Sequence, residues 1–483
     1  MQVLNSTQKV LVLLVLVLAF VFRIFNISNH SIWEDEKVSV LIANGIKYND
    51  NPEAKNTFTL QELKEKNTTE NVLASAIKDN GNSIVYNFLL HYWCKAFGSS
   101  DFAIRFLSLI FSLVALLMAF FLCLKNSNFR IAFLVLLLLT VHALSVNYAD
   151  QARNYSMTLF FTLCATYIFW NTLVKGESKW SSVLWYGLFC GLCILSHYLS
   201  AYVFIAHALI ALLYLRGAKQ WIHFIAGGCL AIAMVAVWMV LGGAEGLEIL
   251  SHQSAVYVEM AKNYQPGDDS FVVPNTPVNM FMGLIQVWLQ QFGNGLQAIF
   301  RIREIIPFLI LPFFLIFYAL RNEKEKRKFL FAALIIVLTQ NAFATYLAMS
   351  SGHTISYQPL YSIFASPYAI IAMAFGFALL LEKNKKLAYP LISIQIIIGF
   401  ISIYGLYLDE PKHRESNPYM AFSEKIEASN EVSSTIVCPT VGDAQLLSLY
   451  LSGEKNYTFK LDPQAGDTIK NRTLAEDFKG KRY

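Results

Sequence analysis

Charge is scarce in this chain. Asp, Glu, Lys and Arg make up 15% of its 483 residues, against 55% hydrophobic. Together with a mean hydropathy of +0.45, that excludes a soluble protein of ordinary composition and implies a polytopic membrane protein. The net charge of +5 is modest, and nucleic acid is not among the expected partners. The seven cysteines make no disulfide framework, because all but Cys438 lie in or beside apolar runs. Cys190 and Cys193 form a CxxC, but within a hydrophobic stretch of small residues, where helix packing is the expected role. No small-residue cleavage site follows the apolar run after Lys9, so a retained first helix is expected. An internal repeat is also missing, which weighs against a transporter built from two halves.

What is present is a series of apolar runs near the roughly 20 residues a membrane span requires. Eleven spans are expected, near 9–27, 105–124, 131–147, 155–174, 181–197, 199–215, 221–242, 305–320, 329–349, 364–381 and 387–407. Every second connection is basic: Lys125 and Arg130, Lys175 and Lys179, Arg216 and Lys219, Arg321 to Lys328, then Lys383 to Lys386. The positive-inside rule places that set in the cytoplasm, with the N-terminus inside and the C-terminal tail outside. The expected organisation is an all-α transmembrane catalytic domain over 1–407, with long outer loops at 28–104 and 243–304. A small soluble α/β tail at 408–483 completes it. Within the loops, Ile84 to Phe97 reads as amphipathic. Val278 to Phe300 reads as a helix lying in the interface, with Met280, Phe281, Leu284, Ile285, Trp288, Leu289 and Phe292 opposed to Gln286, Gln290 and Gln291. In the tail, Thr435 to Cys438 and Tyr457 to Leu461 read as strands and Asp443 to Leu451 as a capped helix.

Just past the first span stands Trp33-Glu34-Asp35-Glu36, three consecutive acids close to hydrocarbon. A solvated loop that stops a helix is the plain alternative, but acids in that position are costly unless used. Other polar groups are expected at the same level. Arg105 begins the second span, and Asp150, Gln151 and Arg153 join the third and fourth. His197 and Tyr198 end the fifth, while His353, Tyr357 and Tyr361 precede the tenth. Each has an ordinary explanation on its own, as a snorkelling arginine or an interfacial tyrosine. Carboxylates and arginines arriving together from separate segments suit phosphate recognition. An outer-face site has no supply of nucleotide sugars or ATP, so an activated substrate must arrive on a lipid. Sugar transfer from a polyprenyl phosphate needs one base for the incoming hydroxyl and cations for the departing phosphate. Arginines suffice for that; a divalent metal is compatible but not required.

At these residues the chain resembles the bacterial members of glycosyltransferase family 39. These are protein O-mannosyltransferase-like and aminoarabinose transferase-like multi-spanning enzymes that use lipid-phosphate sugars. Three segments carry the resemblance: Ser31-Ile-Trp-Glu-Asp-Glu36; Asn80-Gly-Asn-Ser-Ile-Val-Tyr-Asn-Phe-Leu-Leu-His-Tyr-Trp93 with Phe102-Ala-Ile-Arg105; and Tyr148-Ala-Asp-Gln-Ala-Arg-Asn-Tyr155. It implies the glycosyltransferase C-type fold and an inverting transferase, with Asp35 as base and Glu36 supporting it. It further implies Arg105, Arg153 and His197 on the donor phosphate, and Asp150, Gln151, Tyr155 and Tyr86 beside the substrates. The implied acceptor is protein, lipid or glycan, and the implied location is the plasma membrane. The chain departs from the family where a Pro-Pro pair is replaced by Ser83-Ile84-Val85, where Gln-Glu appears as Asp150-Gln151, and where an Arg-Tyr pair is replaced at Ser362-Ile-Phe. Two alternatives compete: an O-antigen ligase or polymerase, which would concentrate Arg and His in a late loop such as that of Arg301 and Arg303, and a lipid or sugar transporter.

Overall fold

In a computed structural model, residues 3–463 are described apart from 26, 28–31, 33, 48–53, 65–66, 266–269, 271, 294–301, 410–417 and 430–432; only the main chain is described at 34, 302–309, 406–409, 418, 420 and 421. Two compact units emerge. One comprises Met1–Phe25, Ser108–Asp150 and Asn154–Asp409, and the other Asn26–Leu107, Gln151–Arg153 and Glu410–Tyr483.

The first unit is a helical bundle. Seven described helices are long and apolar enough to cross a membrane, and four shorter apolar ones lie at Phe129–Thr140, Trp180–Ser196, Tyr198–Tyr214 and Ile310–Asn322. Each expected span falls on one of these helices. Length and composition qualify seven of them on their own. Pro359–Lys383 is the most deeply buried, and its middle is pressed against a neighbour. A Cβ at Gly376 would lie 2.5 Å from the Leu315 carbonyl oxygen, so only glycine permits that approach. Gly187 does the same for Trp180–Ser196, where a Cβ would meet the Gly227 carbonyl oxygen at 2.6 Å. Cys190 and Cys193, on that packed helix, are buried free thiols.

Three sequence expectations are modified here. The run at 131–147 breaks into Phe129–Thr140 and Ala143–Asn147, because the His142 side chain caps the second piece by accepting the Ser145 N–H at 3.3 Å. The run at 221–242 does not end in a loop: after a π-turn with Gly242 at φ 131°, Ala244–Asn263 continues as helix. The interfacial helix is Pro277–Gln291, and its proposed extension through 294–300 lies outside the described residues. Its polar face was misassigned. Gln290 and Gln291 are buried, with Gln291 accepting from Asn341 at 3.2 Å and donating to Gln340, while Phe281 is exposed. An amide in low dielectric is tolerated when its partners are also amides, a possibility that hydrophobic periodicity does not register.

The second unit is built from the first long loop and the tail. Three strands form a sheet in the order β1-β3-β2, with β1 at Thr57–Thr59, β2 at Ser433–Cys438 and β3 at Asn456–Leu461. β1 runs antiparallel to β3, pairing Phe58 with Phe459, and β2 runs parallel to it, pairing Ile436 with Phe459. Val441–Tyr450 connects the parallel pair; its cap is Thr440, which accepts the Asp443 N–H, so the helix starts two residues before the expected Asp443. Its core joins Leu60 and Leu63 of the loop to Ile436, Leu447, Leu451, Tyr457 and Phe459 of the tail.

Candidate active site

The acids lie in the first turn of a helix, Glu34–Ala43, where the exposed N–H groups favour negative side chains. Its other end buries Val40, Leu41, Ile42 and Ala43. His91, on Ile84–Phe97, fixes that end through a 2.7 Å contact from Nδ1 to the Ala43 carbonyl oxygen. The next helix, Asp101–Asn126, starts close by, because the Trp93 indole N–H donates to the Ala103 carbonyl at 2.7 Å. Arg105 is one turn into it.

These placements sort the two neighbouring carboxylates into different environments. Glu36 and Arg105 are both wholly buried and paired side by side, Nε to Oε1 at 2.8 Å and Nη2 to Oε2 at 2.9 Å. Arg105 Nη1 donates to the Ile27 carbonyl at 2.9 Å, and the Ala152 N–H donates to Glu36 Oε1 at 2.7 Å. The carboxylate therefore ties together the acidic helix, the Arg105 helix and the Gln151–Arg153 segment. Asp35 is different: its side chain is 39% exposed and stands 3.6 Å from Arg153 Nη2. Arg153 is itself fixed, with Nη1 donating to the Asp35 carbonyl at 3.0 Å and to Ser39 Oγ at 2.9 Å. Asp35 is thus a partly exposed carboxylate beside a cation, while Glu36 is buried in its pair with Arg105. Arg105, expected on a donor phosphate, is engaged in holding Glu36.

Asp79 joins this group although nothing in the sequence reading singled it out. It caps Thr69–Lys78 and is partly buried. Burial raises its pKa to about 6, Arg153 opposes that rise, and Asp35 adds to it. The chain leaves it through Asn80 at φ 68°, Gly81 at φ 68° and Ser83 at φ 65°, with Asn80 Oδ1 accepting the Asn82 N–H at 3.1 Å. Proline, locked near φ −65°, could not take the left-handed place of Ser83. The Asp-Asn-Gly-Asn run was the only available signal, and it reads first as a turn.

The remaining expected residues are placed as follows. Tyr86 is fully buried in Ile84–Phe97, and Gln151 is 8% exposed. In the bundle, Asp150 is 3% exposed, and Tyr155 packs between Tyr148, at 4.8 Å between ring centres, and His197, at 5.9 Å. His197 also meets Tyr361 edge-on at 6.0 Å, and its Nδ1 accepts the Leu199 N–H at 3.3 Å, capping a short turn. Among the described residues no three His, Cys, Asp or Glu side chains converge as metal ligands.

With this geometry in hand, comparisons add the following. Residues 81–241 match the family described as dolichyl-phosphate-mannose-protein mannosyltransferase, a stretch that includes Arg105, Asp150 and Arg153 but not Asp35 or Glu36. Curated protein sequences give no significant match. Among solved structures, the chain is similar to ArnT from Cupriavidus metallidurans bound to undecaprenyl phosphate. The TM-score is 0.56 at 12% identity, over 92% of this chain and 85% of that one. It is also similar to the Archaeoglobus fulgidus oligosaccharyltransferase tethered to an acceptor peptide, with a TM-score of 0.51 at 12% identity, over 92% of this chain and 63% of that one. At such identities the likeness establishes the fold: a polytopic helical membrane protein of the glycosyltransferase C type.

Proposed function

We propose that the protein is an inverting membrane glycosyltransferase, moving a sugar from a polyprenyl-phosphate donor to an acceptor on the outer face. The observation that carries this reading is the division of labour between Asp35 and Glu36. A single displacement needs one accessible base, and Asp35 is the exposed carboxylate. It takes the acceptor hydroxyl proton as the oxygen attacks the anomeric carbon; the bond from that carbon to phosphate oxygen breaks, and polyprenyl phosphate leaves with the electron pair. Arg153, 3.6 Å from Asp35, stabilises the departing phosphate. Arg105 acts through Glu36, fixing the turn that carries Asp35. The family resemblance adds His197 on the donor phosphate and Asp150, Gln151, Tyr155 and Tyr86 beside the substrates. The partial family match and the fold shared with ArnT bound to undecaprenyl phosphate support the donor class. The alternating basic connections support the outer-face assignment.

The test is transfer of radiolabelled sugar from polyprenyl phosphate into a cell-envelope extract by reconstituted protein. Wild type should transfer label and Asp35→Asn should not, with equal amounts of folded protein in the vesicles. Equal transfer by both would remove Asp35 from the chemistry.

A further inference from the structure

The tail reaches both helices that carry the site. On one side, the Tyr450 hydroxyl donates to Asp101 Oδ1 at 2.8 Å. Asp101 is buried and opens the helix on which Arg105 follows four residues later, on the same face. On the other side, Lys37, the residue after Glu36, holds its ammonium 5.7 Å from the centre of the Tyr419 ring. The Tyr419 hydroxyl donates to Asp443 Oδ1 at 2.7 Å, and Asp443 Oδ2 accepts from Thr440 Oγ1 at 2.6 Å. The acidic helix is thereby linked to the capped start of Val441–Tyr450. Leu446 and Tyr419 pack with Leu41 and Ile46, the apolar end of the same acidic helix. Pairing of β1 with β3 and the Lys64 ammonium on the Leu451 carbonyl anchor the loop to the tail independently of these contacts.

On the functional reading given above, we propose that the C-terminal tail is a working part of the site. Tyr450 and Tyr419 are positioning residues that hold the Arg105 helix and the acidic helix against one another, so that Arg105 closes on Glu36 and Asp35 faces the reacting hydroxyl. Neither tyrosine touches a reacting group. Their effect is on the alignment of Asp35, so it falls on turnover more than on capture of the lipid donor. The sheet and its apolar core keep the tail attached when a single hydroxyl is removed, so the substitutions test alignment and not folding.

The experiment compares full-length Tyr450→Phe, Tyr419→Phe, Asp101→Ala and Asp101→Asn in vesicles, measuring sugar transfer per folded protein and amide hydrogen exchange at 34–43 and 101–107. Tyr450→Phe and Tyr419→Phe should each lower kcat by about fivefold, the size of one lost hydrogen bond, with donor KM nearly unchanged. Asp101→Ala should match Tyr450→Phe, and the double variant should be no worse than either. Asp101→Asn keeps the acceptor oxygen and should retain most activity. Exchange at 34–43 should quicken in Tyr419→Phe, and exchange at 101–107 in Tyr450→Phe. Unchanged kcat and unchanged exchange in both tyrosine variants would overturn the proposal. If wild type transfers no sugar, the functional reading fails, and the exchange data still decide whether the tail braces these helices.

Discussion

Two arginines, one in each unit, are buried among different groups. Arg23, near the end of the first helix of the bundle, donates to Ser112 Oγ and Ser145 Oγ, both at 2.9 Å, and to the carbonyls of Ala19, Leu139 and Thr140. Arg105, in the loop-and-tail unit, lies against a carboxylate in bidentate contact. Hydroxyls and carbonyls satisfy the geometry of the N–H donors; a carboxylate also neutralises the charge. In the bundle, buried polarity is largely neutral, as in the chain from Tyr186 through His207 and Thr166 to Tyr368. The other unit adds a buried ion pair, and each acid of the Asp35-Glu36 pair has an arginine beside it. Beside the Glu36–Arg105 pair, Asp35 stands 3.6 Å from Arg153, and both act on the titration of Asp79.

The sharpest way to break this comparison is to remove one partner in each unit. Glu36→Ala leaves the Arg105 charge buried without its carboxylate and should cost about 3–5 kcal/mol of stability. Arg23→Met removes the donors to two serine hydroxyls and three carbonyls, and should cost about 1–3 kcal/mol. Thermal unfolding of the two purified variants checks the order; equal losses would mean that the carboxylate adds nothing to the burial of Arg105. A smaller effect sharpens the role of the second arginine. Arg153→Lys keeps the charge but loses the planar fork that spans Asp35 and Ser39, so donor KM should rise by about tenfold with the fold intact. Titration of donor in the transfer assay measures it.

The effect that depends on pH belongs to Asp79. Its pKa is raised from 3.8 to about 6 in the folded protein, so the folded state holds the proton more tightly than the unfolded chain. Its contribution is therefore most favourable below pH 4 and is lost as pH rises from about 4 to 6. Asp79→Asn should melt above wild type at pH 7.5 and converge on it near pH 4. Parallel melting curves across that range would show that Asp79 does not titrate there.

Much of the layout was legible in the sequence, for reasons that differ by element. Long apolar runs and alternating basic connections report the solvent a segment prefers, and they located the helices of the bundle. The acid cluster, Arg105 and Arg153 were visible because charge is conspicuous in so apolar a chain. Their division of roles was not, since only the fold decides that Glu36 turns inward and Asp35 outward. Arg23 was hidden because one charge near a helix end resembles an ordinary snorkelling residue. Gln290 and Gln291 were misjudged because a polar side chain was equated with exposure. The tail was read correctly as strand, helix and strand. Its third strand was missed: Thr57–Thr59 is three residues long and lies more than 370 residues from its partner in sequence.

The most direct test of this account is to compare Asp35→Asn with Glu36→Gln, measuring turnover per folded protein and melting temperature on the same samples. Asp35→Asn should lose about 10²–10⁴-fold in kcat, the usual contribution of a general base, and melt close to wild type. Glu36→Gln should melt clearly lower and keep more turnover in the fraction that remains folded. Contradiction would take the form of the reverse pattern, with Asp35→Asn turning over like wild type while Glu36→Gln is fully folded and inactive.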